Sequence, residues 1–143
     1  MWAVVLAMAL APAACSSPGA SSSGERLPVT VRDFRITLSS STVPRGPLTF
    51  VVHDRGPSTH EFIVARTDLA ANALPLRPDG LTIDEDSSQI RMVGEIGDLD
   101  IGDTDALSLR LAPGHYVLFC NIEGHYLGGM HAAFEVSGDA SQP

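Results

Sequence analysis

The sequence contains few cysteines, few basic residues and no apolar run long enough to cross a bilayer. Its 143 residues include two cysteines, nine Lys and Arg residues and 17 Asp and Glu residues, which gives a formal net charge of -8. This excess of acid makes nucleic acid and anionic membrane surfaces poor partners for the folded chain. The hydrophobic fraction of 44% is typical of a globular protein, and the length suits one domain.

The beginning of the chain resembles an export signal. The run "MWAVVLAMALAPAAC" is apolar and ends in small residues, so residues 1–14 are predicted to be a signal peptide. Its end also resembles a bacterial lipoprotein signal in which Cys15 carries the lipid, whereas ordinary cleavage after "APA" would leave a free thiol. We expect an exported, lipid-anchored protein on the extracytoplasmic face of the membrane or in the periplasm. Residues 15–28 are predicted to be a flexible Ser/Gly/Pro-rich tether, 29–138 the folded domain and 139–143 a tail.

Seven segments alternate apolar and polar residues and are bounded by Gly, Pro or Asp. This pattern predicts an all-β protein, an antiparallel sandwich or barrel of about seven or eight strands. Residues 67–89 lack the pattern and are expected to form a short helix or a loop. The predicted strands are 29–38, 48–54, 60–66, 90–96, 106–112, 115–121 and 131–137.

The region between residues 79 and 105 holds nine of the 17 acidic residues. Such a run can dock a basic partner. A solvated loop face is the commoner origin of an acidic run, and we favour it here.

One segment near the end of the chain places three metal-binding side chains at equal intervals. In "CNIEGHYLGGM", four residues separate Cys120 from His125 and four separate His125 from Met130. A cysteine without a partner in an exported domain indicates a reactive thiol or a metal ligand. Thiolate, imidazole and thioether together favour copper. His60, at the start of a predicted strand, can join them because strand ends gather at the poles of a sandwich.

These motifs resemble the cupredoxins, the type 1 blue copper proteins. "YVLFCNIEGHYLGGM" is similar to the rusticyanin and sulfocyanin branch, where the same C-x4-H-x4-M spacing occurs, and "FVVHDRGPSTHEFIV" resembles the strand, turn and histidine that supply the first ligand. The resemblance covers residues 30–137 and implies a Greek-key fold. It also implies one copper ion held by His60, Cys120, His125 and Met130.

Strand parity separates the predicted ligands from the other histidines. Tyr116, Leu118 and Cys120 share one face, which points the thiol inward if the first two residues are buried. The resemblance implies that Tyr116 is a buried corner residue. The remaining histidines face away from the site or adjoin an inward ligand, and we expect no metal ligation from His53, His115 or His131.

The resemblance also implies a route for electrons. His125 is expected near the surface as the electron exit, inside a docking patch of apolar or small residues. Cytochromes or a terminal oxidase are the partners that the family suggests, with the protein a monomer. Many cupredoxins have an amide residue after the first histidine; here Glu61 occupies that position, and Asn121 becomes the candidate donor to the thiolate. The expected patch consists of Ile122, Tyr126, Leu127, Gly128 and Gly129.

The ligand set indicates electron transfer rather than catalysis. Four protein ligands leave no open coordination position for a substrate, and the sequence has no H-x-H or H-C-H motif for further copper sites. A cysteine hydrolase fits the spacing poorly. The alternative is an extracytoplasmic copper carrier, but carriers with open sites are often rich in Met or His. Only Met92 and Met130 lie outside the leader.

Overall fold

The computed structural model describes residues 24–140 as eight β-strands joined by loops. Within this range there is no helix, and hence none that could cross a membrane. The strands are β1 (Glu25–Arg32), β2 (Arg35–Leu38), β3 (Thr42–Asp54), β4 (His60–Arg66), β5 (Arg91–Leu99), β6 (Thr104–Leu111), β7 (Gly114–Phe119) and β8 (His131–Ala140).

The strands form two sheets that share β3. The first part of β3, up to Arg45, pairs with β8 in a sheet that continues through β7 and β4 to β5. From Gly46 onward β3 pairs with β6 on one side and then with β1 on the other, and β2 forms the edge beyond β1. A register shift between Pro44 and Arg45 marks the transition between the two sheets. The predicted all-β sandwich is therefore confirmed.

The sheets are mixed rather than purely antiparallel, which corrects the sequence prediction. β1 and β8 each run parallel to β3, while the other pairs are antiparallel. β2 runs antiparallel to β1, and the chain reverses again before β3, so β3 runs in the direction of β1 and pairs with its other edge. Local alternation of apolar residues predicts strands but carries no information on which strand lies beside which.

The main core lies between the two sheets. In β1 the buried side chains of Leu27, Val29 and Val31 alternate with more exposed neighbours, as expected for a strand with one face inward. Across the interior, the Phe50 ring lies 5.3 Å from Phe62 and 5.4 Å from Phe134 between ring centroids. Burial of these aromatic side chains supplies much of the hydrophobic stabilisation.

A second apolar cluster covers the outer face of the sheet that contains β4 and β7. The region near 67–89 takes the loop form of the prediction: it holds a single isolated bridge, between Leu76 and Ile83, and folds back over the sheet. The loop is therefore a packed layer. Its cluster contains Ile63, Ala65, Leu74, Ile83, Ile90, Val117, Phe119 and Tyr126.

Several strand boundaries differ from the sequence prediction; β3, for example, begins at Thr42 rather than at residue 48. β1 begins at Glu25, within the segment 15–28 that the sequence assigns to the tether. The expected single strand 29–38 is divided into β1 and β2 by a turn at Asp33 and Phe34. β8 extends to Ala140, into the expected tail 139–143. Residues 1–23, which include the predicted signal peptide and Cys15, and residues 141–143 lie outside the described range.

Candidate metal centre

One end of the sandwich collects all four predicted ligands. β4 begins at His60, whereas β7 ends just before Cys120 and β8 begins just after Met130. β4 and β7 are antiparallel neighbours, so the start of one lies beside the end of the other. The connecting loop 120–130 carries His125.

Cys120 lies in the core immediately after β7. Its side chain is fully buried in the cluster between the sheets with Tyr116 and Leu118, while Val117 and Phe119 pack on the opposite face of the strand. The parity prediction for these residues is confirmed. The Cys120 sulfur accepts a hydrogen bond from the backbone amide of Glu61, with 3.4 Å between nitrogen and sulfur.

Backbone hydrogen bonds close the loop 120–130 into a compact unit. The Cys120 amide donates to the Met130 carbonyl at 3.2 Å, and the Met130 amide donates to the His125 carbonyl at 3.0 Å. Gly124 and Gly129 adopt φ values of 78° and 109°, which residues with a Cβ rarely adopt. This folding places the His125 Nδ1 atom 3.6 Å from the Cys120 sulfur.

Met130 and His60 complete the group. Both side chains are fully buried, Met130 in the same apolar cluster as Cys120. The centroids of the His60 and His125 rings are 5.3 Å apart. The structure therefore brings a thiol, two imidazoles and a thioether to one end of the core. Their assignment as copper ligands stays a prediction.

His60 contacts two carboxyl groups. Its Nδ1 atom lies 3.0 Å from both oxygens of Asp54, and its Nε2 atom lies 3.1 Å from Oδ1 of Asp33. A neutral imidazole donates a hydrogen bond from only one nitrogen and needs a free lone pair to bind a metal. Copper binding at His60 therefore requires one carboxylate contact to be exchanged for the metal.

Among residues 24–140, no group of three or more His, Cys, Asp or Glu side chains converges as a metal-binding cluster. The preassembled part of the site is the pair formed by Cys120 and His125, beside the buried Met130. The donor types fit copper, and reorientation of His60 away from a carboxylate would complete the set.

The environment shifts the pKa values of the Cys120 and His125 side chains in opposite directions. Burial raises the pKa of the Cys120 thiol, although the backbone amides of Glu61 and Ile122 oppose the shift. Burial, followed by the neighbouring His60, lowers the pKa of His125, and Asp33 opposes that shift. Both shifts favour a neutral thiol and a neutral His125 at pH 7, and a bound metal ion would displace the thiol proton.

The other three histidines lie apart from this group. His53 Nδ1 contacts the Asp103 carbonyl at 3.0 Å and the Thr104 hydroxyl at 2.9 Å, on the outside of β3. His115 is exposed. The His131 ring is half-buried against Tyr126, with 5.0 Å between centroids.

Two expectations about the loop need correction. Asn121 makes its side-chain hydrogen bonds to Ile83 and Glu85, so it braces the loop instead of bonding to the thiolate. Tyr126 is buried, with its hydroxyl bonded to backbone groups of the 67–89 loop, and cannot belong to a surface patch. Leu127 is 52% exposed and remains in the patch.

Three residues near the site were missed in the sequence. Asp33 and Phe34 lie in the turn between β1 and β2, and Asp54 ends β3. The alternation predicts a continuous strand across Asp33, although an Asp inside an alternating segment is itself a turn signal. Burial would raise the pKa of Asp33, but hydrogen bonds from the Ser58 hydroxyl and amide, and then from His60, outweigh it and lower the pKa.

Comparison with known proteins bears on the fold. No protein-family model and no curated protein matches the sequence. Solved structures do match: auracyanin from Roseiflexus castenholzii is 18% identical, with a TM-score of 0.58 over 80% of this chain and 98% of that one. Rusticyanin from Thiobacillus ferrooxidans is 16% identical, with a TM-score of 0.56 over 80% of this chain and 79% of that one. The chain has the cupredoxin fold.

The sequence resemblance to cupredoxins is thus confirmed at the level of fold. Auracyanin B, 18% identical, matches with a TM-score of 0.55 over 79% of this chain and 88% of that one. A further rusticyanin structure, 16% identical, is described as that of a copper protein. In this cupredoxin fold, the end of the sandwich that holds Cys120 and His125 is the candidate metal centre.

Proposed function

We propose that this protein binds one copper ion through His60, Cys120, His125 and Met130 and transfers single electrons between redox partners. The supporting observation is the 3.6 Å contact between the Cys120 sulfur and His125 Nδ1 in a cupredoxin fold, with Met130 buried beside it. Bound copper supplies the one-electron couple between Cu(I) and Cu(II). A catalytic reaction forms no part of the proposal.

The surrounding residues suit electron transfer because they restrain the ligands. Cys120 and Met130 lie in a closed apolar core, and their backbone groups are hydrogen-bonded to each other across the base of the loop. A ligand set that moves little between oxidation states exchanges electrons with little reorganisation. The Glu61 amide donates a hydrogen bond to the Cys120 sulfur, and this fixed dipole would tune the reduction potential of bound copper.

We propose that His125 is the point of electron entry and exit. Its side chain is half-buried, whereas the other three proposed ligands are fully buried. The exposed Leu127 lies two residues away and offers an apolar contact to a partner. The proposed partners are redox proteins such as cytochromes or a terminal oxidase, met on the extracytoplasmic side of the membrane.

Copper loading tests this function. Purified protein with Cu(II) should give an intense visible thiolate-to-copper absorption and a reversible voltammogram. The Cys120→Ser variant should lose the absorption, whereas the His115→Gln control, which changes an exposed imidazole, should retain it. Persistence of the colour in Cys120→Ser would refute the site. A colourless protein that binds Cu(I) alone would favour the copper carrier.

A further inference from the structure

The two-residue turn between β1 and β2 holds an aromatic residue in an unusual conformation. Arg32 pairs with Arg35, which leaves Asp33 and Phe34 as the turn. Phe34 has a φ of 60°, a left-handed value that Gly and Asn adopt readily and a Phe rarely does. Its side chain is also 51% exposed. A strained, exposed aromatic residue indicates that the surroundings hold it there.

The Phe34 ring packs on the proposed copper loop. It meets the His125 ring edge to face, with 5.6 Å between centroids and 68° between planes. A Cβ atom at Gly128 would collide with the Phe34 ring, and one at Gly129 would lie 3.3 Å from the Phe34 carbonyl oxygen. Because Gly128 and Gly129 have no side chains, the loop leaves room for the Phe34 ring and its backbone.

Asp33, the other residue of the turn, contacts the second imidazole. Its Oδ1 atom lies 3.1 Å from Nε2 of His60. The carboxylate is oriented by Ser58, whose amide donates to Oδ1 at 3.2 Å and whose hydroxyl donates to Oδ2 at 3.3 Å. The Asp33 amide also donates to the Gly56 carbonyl at 3.4 Å. These hydrogen bonds hold the turn against the segment 56–58, which precedes β4.

We propose that the turn Asp33–Phe34 is a positioning element for the copper site, in which Asp33 orients the ring of His60 and Phe34 orients the ring of His125. One turn thus reaches the two imidazoles that come from separate parts of the chain. The inference deepens the proposed function and rests on it for the identity of the metal. The contacts themselves belong to the metal-free chain and can be tested there.

The ring of Phe34 is tested with two substitutions in the full chain. Phe34→Asn tolerates the left-handed backbone but removes the ring, and Phe34→Tyr retains the ring. In the metal-free protein, Phe34→Asn should change the imidazole NMR signals of His125, leaving those of His53 and His115 unmoved. With copper, its Cu(II) affinity should fall about 10-fold. Phe34→Tyr should match the original protein in both measurements.

A second variant tests the same contact in case Phe34→Asn does not fold. Gly128→Ala keeps Phe34 but places a methyl group where the ring lies. It should displace the ring and reproduce the change in the His125 signals. If both folded variants leave the His125 signals as they are, Phe34 does not position this ring and the proposal is refuted.

The carboxylate of Asp33 is tested in the same way. Asp33→Ala should change the imidazole signals of His60 in the metal-free chain, and Asp33→Asn, which keeps an oxygen acceptor, should restore part of the original signal. Unaltered His60 signals in a folded Asp33→Ala variant would overturn this half of the proposal.

The experiments separate this inference from the proposed function. If copper gives no visible absorption but the imidazole signals respond as expected, the turn does position the rings and the assignment of a type 1 copper site is wrong. If the copper absorption appears but the rings do not respond, the site stands and the positioning role of Asp33 and Phe34 is rejected.

Discussion

At the scale of single residues, the side chains of the site differ in their protonation states and in the charge around them. The neutral Cys120 thiol tolerates burial in the apolar core, and its conversion to a thiolate requires a cation to replace the lost hydration. His60 differs, because the carboxyl groups of Asp33 and Asp54 already contact its two ring nitrogens. The metal-free site therefore has a neutral half at Cys120 and His125 and a polar half at His60.

His131 should make the stability of the metal-free protein depend on pH. Burial lowers the pKa of its imidazole below the unfolded value of about 6.5. The unfolded chain then binds the proton more tightly, so this stability is present above about pH 6.5 and is lost as pH falls through the folded pKa. Thermal melting should give a lower midpoint at pH 5.5 than at pH 7.5.

Two substitutions assign this pH effect. His131→Gln should reduce the difference between the two midpoints, and the exposed His115→Gln should leave it unchanged. An equal difference in all three proteins would show that His131 does not contribute.

At the scale of elements, the loop 120–130 is held from outside by the 67–89 loop. The hydroxyl of Tyr126 accepts a hydrogen bond from the Leu74 amide at 2.9 Å and donates one to the Ala71 carbonyl at 2.7 Å. The Gly124 amide donates to the Leu81 carbonyl at 3.1 Å. A segment without regular secondary structure thus fixes the segment that carries the proposed ligands.

Removal of the Tyr126 hydroxyl should loosen this support. Tyr126→Phe leaves a buried amide and a carbonyl without partners, which costs about 1–3 kcal/mol of unfolding free energy. Urea denaturation measures the loss, and hydrogen exchange should accelerate in residues 120–130. Tyr116→Phe is the matched control, since its hydroxyl donates to the Ala112 carbonyl outside this loop. Equal exchange in both variants would contradict the bracing role.

The sequence predicted those elements whose signal is local. Four residues between Cys120, His125 and Met130 identify the loop without knowledge of the fold, and alternation identifies most strands. The contact of Asp33 with His60 joins residues 27 positions apart and depends on the parallel pairing of β1 with β3, which the pattern of neither strand specifies. Asp54 lies only six residues before His60, but its burial against the imidazole is not visible in the alternation of β3. The turn at Asp33 and Phe34 was hidden because apolar alternation continues on both sides of it.

At the scale of the whole molecule, the two cysteines have separate predicted roles. Cys120 is the free, buried cysteine of the described residues, while Cys15 belongs to the predicted leader. The folded domain begins close behind the leader, since β1 starts at Glu25. A lipid on Cys15 would hold the domain near the membrane surface, whereas simple signal cleavage would release it. The net charge of -8 gives the protein little attraction to anionic lipid, so anchoring depends on the lipid itself.

The two cysteines should therefore respond differently in cells. Expressed in a bacterial host, the protein should incorporate labelled fatty acid and sediment with membranes. Cys15→Ala should abolish labelling and move the protein to the soluble fraction. Cys120→Ser should stay labelled and membrane-bound while losing the copper absorption, because its thiol lies in the core. Release of the unsubstituted protein without label would support ordinary cleavage after "APA", and it would leave the folded domain free to diffuse between the proposed redox partners.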